Sequence, residues 1–199
     1  MNALKRLVLA SNNPSKLREL ETLLAPLGFD LVTQGALGIG EADEPHVTFV
    51  ENALAKARHA ALHSGLPALA DDSGICVAAL GGAPGVRSAR FAGEPRSDVR
   101  NNTRLLDVLH GEADRRAWYY AVLVLVRHAD DPQPLIAEGS WYGEIAQAPR
   151  GEGGFGYDPI FWLPEFGCTS AELSADRKRA LSHRSQALQG LIAALQRQS

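Results

Sequence analysis

The apolar positions of this chain fall into short runs separated by amphipathic stretches. Leu7 to Ala10 is a compact apolar run ending in Ser11-Asn12-Asn13-Pro14-Ser15. It predicts a buried strand and then a turn. Leu17, Leu20, Leu23, Leu24 and Leu27 recur at helical spacing and stop at Gly28, which can take the left-handed conformation that ends helices. Phe29 to Val32 predicts a second short strand. Thr48 and Glu51 make an S/T-x-x-E capping box, so an alanine-rich helix is expected from there to about His63, ended by Gly65 and Pro67. Ala68 to Ala70 predicts a short strand running into Asp71-Asp72-Ser73-Gly74.

Gly81-Gly82-Ala83-Pro84-Gly85 reads as a loop. Ser97 is placed to cap a helix carrying Val99, Leu105, Leu106 and Leu109, closed by Gly111. Trp118 to Val126, aromatic and β-branched, is the strongest strand candidate. Leu135 to Ile145 is another, with Asp131-Pro132 in the turn between them, and the two can pair as an antiparallel ribbon. Gly151 to Gly156 is a glycine-rich loop, followed by a strand over Pro159 to Leu163. Ser182 is placed to cap a last helix with Ala187, Leu188, Leu191, Ile192 and Leu195 on its buried face. Strands and helices alternate early and longer strands come later. The expected fold class is therefore α/β with a mixed sheet. Repeats and linkers are absent, so residues 1–199 are expected to form a single domain.

Composition changes this picture little. The chain has 199 residues, 45% of them hydrophobic, enough for a sizeable core. A net charge of -3 argues against nucleic acid or an anionic membrane as the main partner. No segment approaches the roughly 20 apolar residues of a membrane helix. The two cysteines, Cys76 and Cys168, do not make a disulfide framework, and the expected setting is the reducing cytoplasm.

Several clusters carry chemistry. Ser11-x-Asn13-x-x-Lys16 lies between a strand and a helix, where backbone N–H groups and the helix dipole attract anions. The same residues also suit plain turn and capping chemistry. Asp71 and Asp72 are adjacent carboxylates that repel unless a cation or partner offsets them. On a strand their side chains point to opposite faces. The competing reading is an Asx-type turn before Gly74. Glu44 sits in the acidic stretch Glu41-Ala42-Asp43-Glu44 and, with Asp72, meets the needs of magnesium, which takes one or two carboxylates plus phosphate and water. A lone helix lysine such as Lys56 is ordinarily a surface residue. In Gly151-Glu152-Gly153-Gly154-Phe155-Gly156-Tyr157-Asp158-Pro159, glycines free the backbone for close approach to a flat ligand, and Phe155 offers a stacking face. Asp158 is a candidate acceptor for a base or sugar. The alternative is a bulge around a core aromatic. Lys178 is followed by Ser182-His183-Arg184, and basic residues at a helix start run against the dipole preference. They suit an anionic or acceptor-rich partner, or a solvated basic turn.

Taken together, Ser11-x-Asn13-x-x-Lys16, Thr48-Phe49-x-x-Asn52-Ala53-x-x-Lys56-Ala57, Ala70-Asp71-Asp72-Ser73-Gly74, Gly81-Gly82-x-Pro84-Gly85, Gly153-Gly154-Phe155-Gly156-Tyr157-Asp158-Pro159 and Ser182-His183-Arg184 occur in one order. That set closely resembles the inosine triphosphate pyrophosphatase family. Arg87 departs from the pattern, which has an aromatic or small apolar residue there. The resemblance implies a long twisted mixed sheet flanked by helices, in two lobes with an active-site cleft between them, and a homodimer. It implies hydrolysis of ITP, dITP and XTP to the monophosphate and pyrophosphate, with Mg2+ as cofactor. By the same resemblance Ser11, Asn12, Asn13, Pro14, Ser15 and Lys16 hold the triphosphate, aided by Lys56 and Ser73. Glu44 and Asp72 bind the metal, and Asp72 is the general base. Phe155, Gly156, Tyr157, Asp158, Lys178, His183 and Arg184 form the base pocket. Two other functions compete. One is a pyrophosphatase for modified pyrimidine triphosphates, which the His183-Arg184 pair and the Phe155 loop oppose. The other is a nucleotide sensor without turnover, which the presence of Glu44, Asp71 and Asp72 opposes.

Overall fold

The computed structural model describes residues 5–12, 17, 20–21 and 24–198. Among the described residues, seven strands form one sheet: β1 (Lys5–Leu9), β2 (Phe29–Thr33), β3 (Ala68–Val77), β4 (Arg116–Val126), β5 (Leu135–Ile145), β6 (Phe161–Leu163) and β7 (Cys168–Thr169). Their spatial order is β2-β1-β3-β4-β5-β6-β7. β1 pairs in parallel with β2 and with β3, while β6 pairs antiparallel with β5 and β7. The sheet is thus mixed, as the element pattern predicts. Parallel neighbours need a crossover. Between β1 and β2 it includes the helical residues Leu17, Leu20, Glu21 and Leu24. Between β2 and β3 it is helix α1 (Phe49–Ser64).

By internal contacts the chain divides into two compact units. The first comprises Met1–Asp72, Val122–Glu138 and Ala187–Ser199, the second Ser73–Ala121 and Gly139–Gln186. In the first, Leu7, Val8 and Leu9 of β1 are fully buried. Helix α1 turns Asn52, Ala53, Ala57, Ala60 and Ala61 inward and packs on β1. These are small side chains, which let the helix lie close to the strand. Its predicted caps are in place: Thr48 accepts from the Glu51 N–H, and Gly65 closes the helix at φ 67° with its own N–H on the Ala61 carbonyl. The second unit contains helix α2 (Asp98–Val108), capped by Ser97, and the short helix α3 (Ala175–Leu181), capped by Ser174. Its core is aromatic, with Phe161 4.6 Å from Tyr119 and 5.4 Å from Trp141 between ring centroids. Helix α4 (His183–Gln198) begins after Ser182, whose hydroxyl accepts from the Ser185 N–H at 3.2 Å. Among the described residues, no helix is long and apolar enough to cross a membrane.

Several expectations need correction. β3 does not stop at Ala70 but runs through Asp71-Asp72-Ser73-Gly74 to Val77, so the turn reading of that segment fails. Acidic residues are poor strand formers; β1 pairs with β3 only at Ala68 and Leu69, and β4 is the sheet neighbour on the other side, so sheet membership overrides the local preference. Val99 is 76% exposed and off the buried face of α2, whereas Leu105 and Leu109 are fully buried. Leu27 belongs to a 3-10 turn, Ala25–Leu27, and not to the preceding helix. The strand expected from Pro159 starts at Phe161, because Asp158–Ile160 is a 3-10 turn. Ile192 and Leu195 are only half-buried in α4. Helix α3 and strand β7 carry too few residues for periodicity to announce them. Leu23 and the segment Asn13-Pro14-Ser15-Lys16 lie outside the described residues.

The turn between β4 and β5 is held by Asp131, whose side chain is fully buried. One carboxylate oxygen accepts from the Arg127 N–H at 2.9 Å and from Arg127 Nε at 2.8 Å. The other accepts from the Gln133 N–H at 2.9 Å and from Arg127 Nη2 at 2.5 Å. The Arg127 side-chain bonds, ahead of the backbone bonds, hold this carboxyl far below the usual range. A carboxyl whose folded value is depressed stabilises the fold above its unfolded value of about 3.9 and loses that contribution as pH falls further. Asp131→Asn places an amide NH2 against N–H donors. It should cost roughly 1–3 kcal/mol at pH 7, and the deficit should shrink below about pH 4. Urea denaturation of both proteins at pH 7 and pH 3 measures it.

Candidate active site

In the first unit the focus is Lys56. Its helix is registered by the Thr48 cap, which also donates to Glu51 Oε2 at 2.5 Å. One turn before Lys56, Asn52 is 2% exposed. Its Oδ1 accepts from the His46 N–H at 3.0 Å, and its Nδ2 donates to the His46 carbonyl at 3.2 Å. This paired amide pins the loop that carries Glu44. Residues four apart share a helix face, so Lys56 reaches the same loop. Its Nζ donates to Glu44 Oε1 at 2.9 Å and to Asp72 Oδ1 at 3.0 Å, with 13% of the side chain exposed.

Burial alone would lower the Lys56 pKa, but Asp72, Asp71 and Glu44 together raise it. Lys56 is thus a secure cation. Asp72 moves the other way from an ordinary ion-paired acid. Desolvation is the largest influence and raises its pKa, Lys56 opposes it, and Glu44 and Asp71 add to the rise, so the net shift is upward. The result is a carboxylate more basic than usual. Its Oδ2 is buried and has no hydrogen-bond partner among the described residues. Three carboxylates act on this one ammonium. Among the described residues no three His, Cys, Asp or Glu side chains form a metal cluster, so any ion must draw other ligands from substrate or water. Of the predicted phosphate residues, Ser11 follows β1, and Asn12 Oδ1 accepts from the Gly35 N–H at 2.9 Å. A Cβ at Gly35 would collide with that oxygen.

The second unit gathers Ser73, Phe155, Gly156, Tyr157, Asp158, Lys178, His183 and Arg184. Arg184 Nη2 donates to Ser73 Oγ at 3.2 Å, joining positions 111 residues apart. His183 stacks on Tyr119 with centroids 4.9 Å apart and planes at 8°. Asp158, 2% exposed, is a hub. Its Oδ1 accepts from Ser170 Oγ at 2.8 Å and from the Tyr119 hydroxyl at 3.4 Å. Its Oδ2 accepts from the Phe155 N–H at 2.7 Å and from Lys178 Nζ. A Cβ at Gly154 would strike this carboxylate, which is why the loop needs glycine there. The Lys178 ammonium also lies over the Phe155 ring, 5.2 Å from its centroid. Phe155 is 67% exposed, so it is not the core aromatic of the alternative reading. Tyr157 is buried and donates to the Ser88 carbonyl at 2.7 Å.

The model of the Ham1 family matches residues 7–194. The chain belongs to the Ham1 family. A dITP/XTP pyrophosphatase of Aromatoleum aromaticum is 68% identical to it over 190 residues, 96% of either chain. A dITP/XTP pyrophosphatase of Nitrosomonas europaea is 65% identical, covering 95% of this chain and 93% of its own. Among solved structures, a HAM1 protein from Coxiella burnetii aligns at TM-score 0.94 and 47% identity, over 97% of this chain and 99% of that one. The Ham1 protein of Staphylococcus aureus aligns at TM-score 0.91 and 37% identity, over 98% and 100%. The family resemblance read from the motifs is borne out.

Within this Ham1 family chain the motif residues come together as two groups, Glu44–Lys56–Asp72 and Ser73–Phe155–Asp158–Lys178–His183–Arg184. The backbone of β3 passes directly from Asp72 to Ser73. Sequence reasoning missed Tyr119, read only as a strand residue, and Ser170. Asn52 stood in a motif without a role. Its spacing of four from Lys56 was the available signal.

Lys56 supports a test of its own. Its folded pKa lies above the ordinary 10.5, so its contribution is present at every pH below that and is lost only as pH rises through the folded value. Lys56→Met leaves Glu44 and Asp72 without their ammonium. It should destabilise the protein by roughly 3 kcal/mol at pH 8. The deficit should be smaller near pH 5, where the uncompensated carboxylates take up protons. Denaturant midpoints at the two pH values check this.

Proposed function

We propose that this Ham1 family chain hydrolyses the non-standard purine triphosphates ITP, dITP and XTP to the monophosphate and pyrophosphate, removing deaminated purines from the nucleotide pool. The observation that carries the reading is the near full-length identity, 65% and 68%, to proteins named dITP/XTP pyrophosphatase. The proposal treats residues 1–199 as one working domain, acting as a homodimer on free nucleotides in the cytoplasm.

The residues have complementary tasks. Water attacks the α-phosphorus, a new P–O bond forms, the α–β bridge bond breaks, and pyrophosphate leaves. Asp72 takes the proton from the attacking water. Its desolvated carboxylate, more basic than usual, suits general-base work. Lys56, Ser73 and the segment Ser11 to Lys16 bind the phosphates. The buried Oδ2 of Asp72, without a hydrogen-bond partner among the described residues, and the convergence of Glu44 and Asp72 on one ammonium fit a magnesium ion held by these two carboxylates. When bound, that ion offsets charge on the phosphate oxygens.

Selectivity follows from donor chemistry. Inosine and xanthine carry a 6-oxo acceptor, adenine a 6-amino donor. Lys178 and Arg184 can only donate. Lys178 has three N–H groups, of which Asp158 engages one. A 6-oxo purine therefore finds partners, and adenine meets a donor clash. Phe155 supplies an exposed ring for stacking. Guanine must be rejected at position 2, where it alone presents an amino group.

Two experiments test the reading. With Mg2+, kcat/KM for ITP and XTP should exceed that for GTP and ATP by about two orders of magnitude. EDTA should abolish turnover and added Mg2+ restore it. Equal rates on ATP and ITP would sink the base pocket. Separately, Asp72→Asn should cut kcat at least about 10²-fold with an unchanged circular dichroism spectrum. Near-normal turnover in that variant would remove the base assignment.

A further inference from the structure

We propose that Asp98 and Asn102 of helix α2 form a backbone clamp on Gly156 that positions the Phe155–Asp158 loop for the nucleotide base. The proposal rests on the reading of that loop as the base contact. The Gly156 N–H donates to Asp98 Oδ2 at 2.6 Å, and Asn102 Nδ2 donates to the Gly156 carbonyl at 3.1 Å. Both polar groups of one residue are thus held by two side chains four apart on one helix face. Gly156 sits at φ +64°, with nothing within 4 Å of where a Cβ would be. Its conformation, not its space, demands glycine.

The clamp explains an otherwise costly arrangement. Asn101 is 2% exposed and Asn102 8%. Buried amides in a helix lose hydration and helix propensity unless they bond. Asn101 spends its amide on the neighbouring loop, accepting from the Ala92 N–H at 2.8 Å and donating to the Ala89 carbonyl at 3.1 Å. Asn102 spends only its donor. Its Oδ1 is buried with no partner among the described residues. That side chain is present for the bond to Gly156. Neighbouring bonds complete the frame: the Phe155 N–H goes to Asp158 and the Tyr157 hydroxyl to Ser88. The Phe155 ring remains 67% exposed on a backbone so held. An apolar ring fixed in water stabilises nothing by itself, whereas a preorganised stacking face lowers the ordering cost of binding.

The test compares four variants. Asp98→Ala removes the acceptor. Asn102→Asp keeps the shape but turns an acceptor toward the Gly156 carbonyl. Asp98→Asn keeps an acceptor oxygen. Ser97→Ala weakens the start of α2 and leaves the clamp intact. For Asp98→Ala and Asn102→Asp, KM for ITP should rise about tenfold with kcat within about twofold of wild type. Asp98→Asn should restore KM. Ser97→Ala should lower the melting temperature without moving KM. Unchanged KM in both clamp variants overturns the proposal, as does an equal KM rise in Ser97→Ala. Wild type inert on ITP overturns the functional reading instead. The clamp is then judged by amide exchange of Gly156, which must accelerate in Asp98→Ala, and unaltered protection would overturn it.

Discussion

The ammonium of Lys56 is shared by Glu44 from a loop and Asp72 from the middle of β3, with Asp71 acting on it through space. Much of the first unit serves this sharing. The Thr48 cap sets the helix register, Asn52 ties the Glu44 loop to the helix, and the alanine face lets α1 lie close to the sheet. Like charges this close are tolerable only with a fixed cation among them. Burial raises the Asp72 pKa against this ammonium, and Glu44 and Asp71 add to the rise.

The second unit follows the same physical economy with different groups. Buried polar side chains are used mainly to hold backbone. Asp158 receives the Phe155 N–H, Tyr157 binds the Ser88 carbonyl, and Asn101 spans Ala89 and Ala92. Each bond offsets the desolvation of the group that makes it. Together they give irregular segments the rigidity that strands and helices get from their own ladders. Asp158 shows the effect on the candidate site most directly. Its carboxylate was a candidate acceptor for ligand, yet both oxygens are engaged by protein groups. What it does hold is protein, the Phe155 backbone and the Lys178 ammonium.

Tyr119 lies in the aromatic core with Phe161 and also under the His183 imidazole, while its hydroxyl points to Asp158. A core residue thereby contacts two candidate site residues at once. Solved Ham1 structures at 47% and 37% identity align at TM-scores of 0.94 and 0.91. Such agreement across half or more of the sequence changed fits a fold set by packing pattern more than by particular surface residues.

The sequence by itself determined what depends on near neighbours. Thr48, Ser97 and Ser182 mark helix starts and Gly28 and Gly65 mark ends, because caps and left-handed glycines act over a few bonds. Aromatic and β-branched residues marked β4 for a similar reason. The ordered motifs carried the family. Tertiary structure alone decided which of those residues meet. Lys56 looked like a surface lysine until Glu44 and Asp72 were brought to it, and β3 continued through two aspartates as a strand lying between β1 and β4 in the sheet, a setting that no local propensity encodes. Arg184 and Ser73 stand 111 positions apart, and Tyr119 is 64 residues before the imidazole it supports. Such pairs form only when the chain has closed long loops. Their geometry is a property of the packed core, so no spacing in the sequence could reveal it.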